Sequence, residues 1–200
     1  MEFKIKYFIY LKNILLIPFF KTKFIFLFKF KRYCTLDTFE KYVNQKIYPD
    51  FLQIENAIAN VEPLAVKFCQ GKGLDIGCGK YKLLNARGIE NLSNENAYSI
   101  NEKDNSQDFI FSSHMLEHLE RPYDALNEFI RVLKKNGILF LYLPHPACKI
   151  WQVENNPYHL NTPSPHSLSE ILVAKFGCSI EFVTYLPDAY YSFAIVAKKI

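Results

Sequence analysis

The sequence predicts an α/β fold in which a doubly wound, mostly parallel sheet carries helices on both faces. A short apolar run over residues 73–76 stops at a glycine turn, which is typical of the end of a buried parallel strand. The run 108–112 predicts a second strand, 123–135 an amphipathic helix, and 138–143 a further strand. The 200 residues are 50% hydrophobic, which excludes a disordered chain and suits one domain with a sizeable core.

The other elements are predicted from caps, breakers and apolar runs. Asp50 is a candidate N-cap, and Gly177 closes the last helical pattern. We expect the last two strands to form an antiparallel pair at one edge of the sheet. The predicted helices span 38–45, 51–59, 63–69 and 167–176, and the predicted strands span 87–90, 97–100, 178–186 and 192–200.

The first connection between strands is short. Only residues 80–86 separate the glycine turn from the predicted strand 87–90, whereas a parallel crossover usually takes a dozen or more residues. We therefore expect the first crossover helix to be reduced to a turn or lost.

The charge of the chain is unevenly distributed. Residues 1–33 carry eight Lys or Arg and one acid, which gives +7, so the remainder carries −3 of the total of +4. A main domain without an excess of basic residues lacks the positive charge that binds a phosphate backbone, so we expect no nucleic-acid partner. The five cysteines lie far apart and include no CxxC pair, which favours a reduced, cytoplasmic protein.

Residues 1–33 are predicted to be a basic, aromatic extension that precedes a main domain at 34–200. The extension holds eleven of the chain's aromatic residues, and aromatic and basic residues alternate over 20–31. No uncharged run approaches the ~20 residues that a membrane-spanning helix needs. Two interpretations remain open. The segment rests on an anionic membrane surface as a peripheral contact, or it packs on the domain's own apolar surface.

The glycine turn is the first candidate binding site. Gly77 and Gly79 can take positive φ and leave the backbone open to a ligand, and ligands of open α/β sheets bind at such strand ends. A dinucleotide fingerprint would need a third glycine where Lys82 stands, and a phosphate-binding GxxxxGK[ST] loop would need glycine at Leu74. What remains is the pattern Asp75-x-Gly77-x-Gly79, or a turn with a purely structural role.

A second stretch makes the assignment more specific. It reads DFIFSSHMLEH over 108–118, and the helical pattern and then NGILFLYLP over 136–144 follow it. The order of these three stretches resembles the class I S-adenosylmethionine-dependent methyltransferases, in particular small bacterial methyltransferases with a type 11-like domain. The resemblance covers residues 70–145 strongly and 165–200 loosely.

The resemblance implies a Rossmann-like fold, S-adenosylmethionine as cofactor, and transfer of its sulfonium methyl group to an O or N nucleophile of a small acceptor. Similar methyltransferases are encoded among cell-surface polysaccharide genes, which implies a sugar or a sugar-linked group. The cofactor-binding residues that the resemblance implies are Asp75, Gly77, Cys78, Gly79, Ser113 and His114.

Glu90 is the predicted ribose ligand. It ends the strand 87–90, and an acid at this position of a doubly wound sheet can accept hydrogen bonds from both ribose hydroxyls. The alternative is a solvated surface glutamate.

His114, Glu117 and His118 also form the H-x-x-E-H pattern of some zinc peptidases. That pattern belongs inside a long helix with a distant third ligand, whereas here it directly follows the strand 108–112. We therefore expect no metal site. The resemblance instead places His114 in the cleft beside the methyl group.

His114 and His145 are candidate catalytic bases, because each follows the carboxyl end of a predicted strand. A neutral imidazole with a pKa near the working pH suits the removal of a proton from a hydroxyl acceptor. His145 is favoured, because Pro144 and Pro146 would hold its backbone stiffly.

The segment between the strand 138–143 and Pro165 is long for a loop in a compact domain, which favours a functional role. We predict that it forms the acceptor pocket, with Tyr158 and His159 as further candidates for the base. The alternative is an insertion that packs on the sheet edge through Trp151.

The alternative function is non-catalytic: a membrane-surface or partner-binding protein that retains a relic cofactor fold. The short first crossover and the basic aromatic extension motivate this hypothesis.

Overall fold

The computed structural model describes residues 56–90 and 94–200. The predictions for the extension 1–33, for the helix 38–45 and for most of the helix 51–59 lie outside these residues. No helix within the described residues is both long enough and apolar enough to cross a membrane.

The described residues form three α-helices and six strands. The helices are α1 (Glu62–Phe68), α2 (Pro122–Val132) and α3 (Pro165–Ala174). The strands are β1 (Gly73–Ile76), β2 (Ala86–Ile89), β3 (Gln107–Ser113), β4 (Leu133–Pro144), β5 (Cys178–Val183) and β6 (Ser192–Lys199). Two short 3-10 helices occupy Leu116–His118 and Lys149–Trp151.

The six strands form one sheet in the order β2-β1-β3-β4-β6-β5. β2, β1, β3 and β4 run parallel, and β6 runs antiparallel to both of its neighbours. The predicted fold class, a mostly parallel α/β sheet with an antiparallel pair at one edge, is therefore confirmed. The antiparallel strand itself, β6, lies one place in from the edge strand β5.

β1 and β3 lie side by side in the interior of the sheet, and all of their residues except Asp108 are buried. Leu74 and Ile76 are at most 1% exposed, and Phe109 is fully buried. Gly73 pairs with Phe109, and a Cβ at Gly73 would fall among the ring atoms of that phenylalanine. Glycine is therefore required for the two strands to pair in this register, which brings their carboxyl ends together.

The first crossover contains no helix. Residues 77–85, which connect β1 to β2, form turns only, as the spacing predicts. Leu83 in this connection is fully buried, and its backbone N–H donates to Asp75 Oδ2 at 2.7 Å. One buried leucine and one hydrogen bond to the end of β1 thus hold the shortened connection in place.

Two local predictions are wrong. The helix predicted over 123–135 ends at Val132, because its last carbonyls are satisfied from outside the helix. Lys199 Nζ donates to the carbonyls of Ile130 and Leu133 at 2.7 and 2.8 Å, and the N–H of Ser106 donates to the carbonyl of Val132 at 2.8 Å. The strand predicted over 97–100 is a turn closed by one bridge between residues 96 and 99.

Candidate functional site

A cavity of about 250 Å³ lies at the carboxyl ends of β1 and β3. Its walls include the glycine turn on one side and the residues that follow β3 on the other. Six of the sequence-predicted site residues line it: Asp75, Gly77, Cys78, Gly79, Ser113 and His114. The structure therefore brings together residues from two separate stretches of the sequence.

The glycine turn requires glycine for two different reasons. Gly77 has φ +75° and Gly79 has φ +54°, a region that side chains with a Cβ rarely adopt. A Cβ at Gly77 would also lie 2.5 Å from Met115 Cγ. The N–H of Gly77 donates to the carbonyl of Ile89 at 2.8 Å, which ties the turn to the end of β2.

Asp75 supplies a buried carboxylate to the cavity. Its side chain is fully buried, and Oδ2 accepts the Leu83 N–H, but Oδ1 has no hydrogen-bond partner among the described residues. Burial raises the pKa of Asp75 to about 7, against the smaller opposing effects of the Leu83 hydrogen bond and of Lys82. An orphaned oxygen that faces a cavity can accept a hydrogen bond from a ligand. Asp75 therefore fits a ligand that carries a cationic donor, as the α-amino group of S-adenosylmethionine does.

Glu90 lies across the glycine turn, directly after β2. Its Oε1 accepts the Cys78 thiol at 3.1 Å and also the backbone N–H of Gly79. The Cys78 side chain packs against Gly88, where a Cβ would lie 2.5 Å from the sulfur. The carboxylate thus stands beside the turn and fixes it through two hydrogen bonds. Glu90 itself is exposed and is not part of the cavity wall.

His114 reaches the cavity from the end of β3 in a left-handed backbone conformation, with φ +50°. Its Nε2 lies 2.9 Å from Ser192 Oγ, and its ring packs edge-on against Tyr142 and Trp151. Burial, and secondarily the neighbouring His159 and His118, lowers the pKa of His114 to about 3. The imidazole is therefore neutral at physiological pH and is a poor proton acceptor there.

His145 is not among the residues that line the cavity. Its Nε2 donates to the carbonyl of Tyr185 at 3.1 Å, and its Nδ1 accepts the N–H of Ala147 at 3.2 Å. Both ring nitrogens are thus engaged with backbone groups, and burial lowers the pKa of this histidine. The structure places His145 in the packing at the start of the loop after β4 and does not bring it to the glycine turn.

The structure also places two further histidines at the cavity, His118 and His159. His159 belongs to the loop after β4, which Trp151 anchors through a 2.8 Å hydrogen bond from Nε1 to the carbonyl of Tyr191. The ring of His159 stacks on Trp151 with 5.8 Å between centroids, whereas Tyr158 is 77% exposed. The loop therefore packs through Trp151 and still contributes to the cavity. His159 was a secondary candidate in the sequence, and the proximity of His118 to it is a tertiary contact that no local pattern contains.

Comparison with known proteins agrees with this geometry. Residues 59–141 match the family described as "Methyltransferase domain". A comparison with curated protein sequences found no match.

Three solved structures illustrate the likeness of the fold. A chain from the complex between the Haloferax volcanii Trm112 methyltransferase activator and a methyltransferase is 11% identical, with a TM-score of 0.57 over 82% of this chain and 96% of that one. A SAM-dependent methyltransferase from Thermotoga maritima, described as a possible histamine N-methyltransferase, is 21% identical, with a TM-score of 0.55 over 83% and 100%. An S-adenosylmethionine-dependent methyltransferase from Listeria monocytogenes is 16% identical, with a TM-score of 0.52 over 71% and 99%.

At these identities the solved structures show the fold alone, and the family match supplies the kind of activity. The domain match, the strand order and the glycine turn with its neighbouring carboxylates are all consistent with one another. Residues 59–141 match a methyltransferase domain, the fold is that of S-adenosylmethionine-dependent methyltransferases, and S-adenosylmethionine is the cofactor that this match implies.

Proposed function

We propose that the protein transfers the methyl group of S-adenosylmethionine to an O or N nucleophile of a small acceptor, a sugar or a cell-surface polysaccharide precursor. The observation that carries this proposal is the cavity at the ends of β1 and β3. There the glycine turn and Asp75 form one wall, and the polar side chains of Ser113 and His114 form another. A donor held on the first wall would present its methyl group to an acceptor held against the second.

We assign the cofactor contacts to the residues of the turn and its surroundings. Glu90 would accept hydrogen bonds from the ribose hydroxyls, and the orphaned Oδ1 of Asp75 would accept one from the α-ammonium group. The bare backbone of Gly77 and Gly79 lets the ligand approach closely. Ser113 contributes by holding the opposite wall, since its Oγ donates to the carbonyl of Ala57 at 2.8 Å.

When bound, the cofactor supplies an activated methyl group on a sulfonium. The residues of the cavity align the two reactants and exclude water, which is the larger part of catalysis in such a displacement. Of the two candidate bases, only His114 lines the cavity. With a pKa near 3 it remains neutral, so we propose that it orients the acceptor by a hydrogen bond. A proton acceptor would need a pKa near the working pH.

Two properties support a small, uncharged or weakly charged acceptor. Residues 34–200 carry no excess of basic side chains, which disfavours a nucleic acid. Within the described residues, the wall that faces the glycine turn offers a hydroxyl and imidazole rings, which suit a polyhydroxylated group. The similar structure from Thermotoga maritima is described as a possible histamine N-methyltransferase. An amine is therefore the second acceptor class to test.

Cofactor binding is tested by thermal unfolding in the presence of S-adenosylmethionine or S-adenosylhomocysteine. A ligand that binds the native state raises the melting temperature. Gly79→Val should abolish the shift, because a branched side chain resists positive φ and blocks the approach to the turn. Gly177→Val is the matched control, since Gly177 has a similar φ of +63° but no atom within 4 Å of its Cβ position. Equal shifts in both variants would contradict the assigned site.

Acceptor class is tested by incubating the protein with labelled cofactor and panels of nucleotide sugars, simple glycosides and biogenic amines. Formation of S-adenosylhomocysteine with a sugar acceptor supports the proposal, and formation with amines alone contradicts the sugar assignment. The non-catalytic alternative predicts no melting shift with the cofactor and no product with any acceptor. The loss of the first crossover helix is the observation that motivates this alternative.

A further inference from the structure

Three side chains on the cavity's acceptor side form a compact group of metal-ligand type. Glu117 and His118 belong to the 3-10 helix Leu116–His118 that follows β3, and His159 belongs to the loop after β4. One ligand atom from each lies within 4.8 Å of the others, and Glu117 Oε1 lies 3.8 Å from His118 Nε2. His118 and His159 both line the cavity.

The environment of Glu117 is the first observation that favours a bound ligand at this group. Its carboxyl group is fully buried, yet neither oxygen has a hydrogen-bond partner among residues 56–90 and 94–200. The nearest ring nitrogens, on His114 and His118, lie 3.6 and 3.8 Å away, beyond hydrogen-bonding distance. A buried carboxyl without a partner is costly. A cation between the three side chains would remove that cost.

The tautomers of the two histidines are the second sign. His118 Nδ1 lies 2.7 Å from the carbonyl of Tyr158, and His159 Nδ1 lies 2.8 Å from the carbonyl of Trp151. A carbonyl oxygen can only accept, so in a neutral ring each Nδ1 carries the hydrogen and Nε2 carries the lone pair. Metal-ligating histidines are held in the same way, with the second nitrogen donating to a carbonyl or a carboxylate.

We propose that Glu117, His118 and His159 bind a divalent transition-metal ion of the zinc type at the wall of the cavity. Two imidazoles and one carboxylate are a ligand set for such ions, whereas Mg²⁺ and Ca²⁺ prefer oxygen ligands alone. Three protein ligands leave at least one coordination position for a water molecule or another oxygen ligand.

The geometry needs only a small adjustment to close on an ion. Two ligand atoms that each lie ~2.1 Å from a tetrahedral metal ion are ~3.4 Å apart, and the largest separation here is no more than 4.8 Å, so the side chains have to close by ~1.4 Å at most. The side chain of His118 is 42% exposed, so its ring can shift inwards while its Nδ1 stays within reach of the Tyr158 carbonyl, and the same exposure gives the ion a path of entry.

The open position gives the ion a role that rests on the proposed function. His118 and His159 line the same cavity as the glycine turn, so a fourth ligand on the ion would lie on the acceptor side. A hydroxyl oxygen of the acceptor suits that position. The ion would then hold the nucleophile and lower the pKa of its hydroxyl group, so that the proton passes to water and no histidine base is needed.

The test is direct metal binding by the untagged full-length chain after treatment with a chelator. Titration calorimetry with Zn²⁺ should show one ion per chain, and Co²⁺ should give the visible absorption of a site with nitrogen and oxygen ligands. His118→Ala and Glu117→Gln should each weaken binding by about tenfold or more. His166→Ala is the matched control, because His166 is exposed and lies outside the group.

Glu117 is buried, so its variant can disturb folding, whereas the exposed His118 can be replaced without opening the core. Stoichiometric binding that survives His118→Ala and His159→Ala, or no Zn²⁺ binding in the wild type, would overturn the proposal. Thermal shifts with S-adenosylhomocysteine, measured with and without Zn²⁺, separate the two claims. A thermal shift with the cofactor but no metal binding would support the proposed function and contradict the metal site. Metal binding without a cofactor shift would support the metal site and contradict the proposed function.

Discussion

Asp75 is the residue whose ionisation should be most visible in cofactor binding. Its pKa is raised to about 7 by burial, so near pH 6 the carboxyl group is mostly protonated, and near pH 8 it is mostly ionised. A cationic α-amino group binds the ionised form better, so the affinity for S-adenosylmethionine should rise from pH 6 to pH 8. Calorimetry in buffers of different ionisation enthalpy should show proton release near pH 7.

Asp75→Asn is the variant that isolates this effect, because it keeps an acceptor oxygen but cannot ionise. Its affinity should be lower at pH 8 and nearly flat over the same range. An affinity that falls with rising pH in the wild type would instead mean that the protonated carboxyl donates to the ligand.

Glu90 is the second residue whose replacement should weaken cofactor binding. Glu90→Ala should weaken the binding of S-adenosylmethionine by ~1–3 kcal/mol, the range for hydrogen bonds to a charged group that are lost from a ligand site. Part of that loss comes through the turn, since Glu90 Oε1 also accepts the Gly79 N–H. Glu95→Ala is the control, because Glu95 is engaged by Arg87 at 2.7 and 2.9 Å. Equal losses in both variants, measured by calorimetry, would place the ribose elsewhere.

Residues that sit within a continuous motif were predictable, and those that depend on distant contacts were not. Asp75, Gly77 and Glu90 could be placed from the sequence because a strand end and a turn determine their positions. His145 follows a strand end equally well, but the Tyr185 carbonyl, forty residues later, engages its ring. His118 and His159 meet only because the loop after β4 folds back over the end of β3, and the spacing gives no sign of that.

Among the elements, the shortened first crossover has one fully buried side chain, Leu83, that anchors it to the core. Leu83 is fully buried, and Leu84 beside it is 65% exposed. Leu83→Ala should reduce the free energy of unfolding by ~2–5 kcal/mol, the usual cost of a buried leucine. Leu84→Ala should cost well under ~1 kcal/mol, since surface changes usually stay within that limit. Urea denaturation measures both, and similar values would mean that the connection is not packed as described.

The ends of elements show why sequence predictions lose accuracy at boundaries. The sequence predicts β1 at 73–76, and the structure agrees, because glycines stop the apolar run on its own chain. The end of α2 differs by three residues, because Lys199 and the segment around Ser106 satisfy its last carbonyls. A boundary set by a residue 66 positions away has no local signal.

The extension 1–33 lies outside the described residues, and its role can be tested on the whole protein. We predict that deletion of 1–33 leaves the binding of S-adenosylhomocysteine unchanged and reduces binding to vesicles of anionic lipid. The charge of +7 on this segment is the physical reason, because each basic residue near an anionic surface contributes about 1 kcal/mol. Sedimentation with anionic and with neutral vesicles measures the difference.

Loss of folding on deletion of 1–33, seen by circular dichroism, would mean that the segment packs on the domain. The membrane hypothesis would then be withdrawn. Unchanged binding to anionic vesicles by a folded, truncated protein would contradict it as well.

The position of β6 has a consequence for how the protein is made. β6 follows β5 in the chain, yet it lies between β4 and β5 in the sheet. While the ribosome still holds residues 192–199, β5 has no neighbour, and β4 exposes an unpaired edge. Unpaired strand edges are templates for aggregation. Because synthesis proceeds at ~5–20 residues per second, these edges stay exposed until β6 is made, and chaperones are expected to bind them during that time. A nascent chain stalled before residue 192 should therefore be trapped by chaperones, whereas one stalled well beyond residue 200 by an added linker should be released.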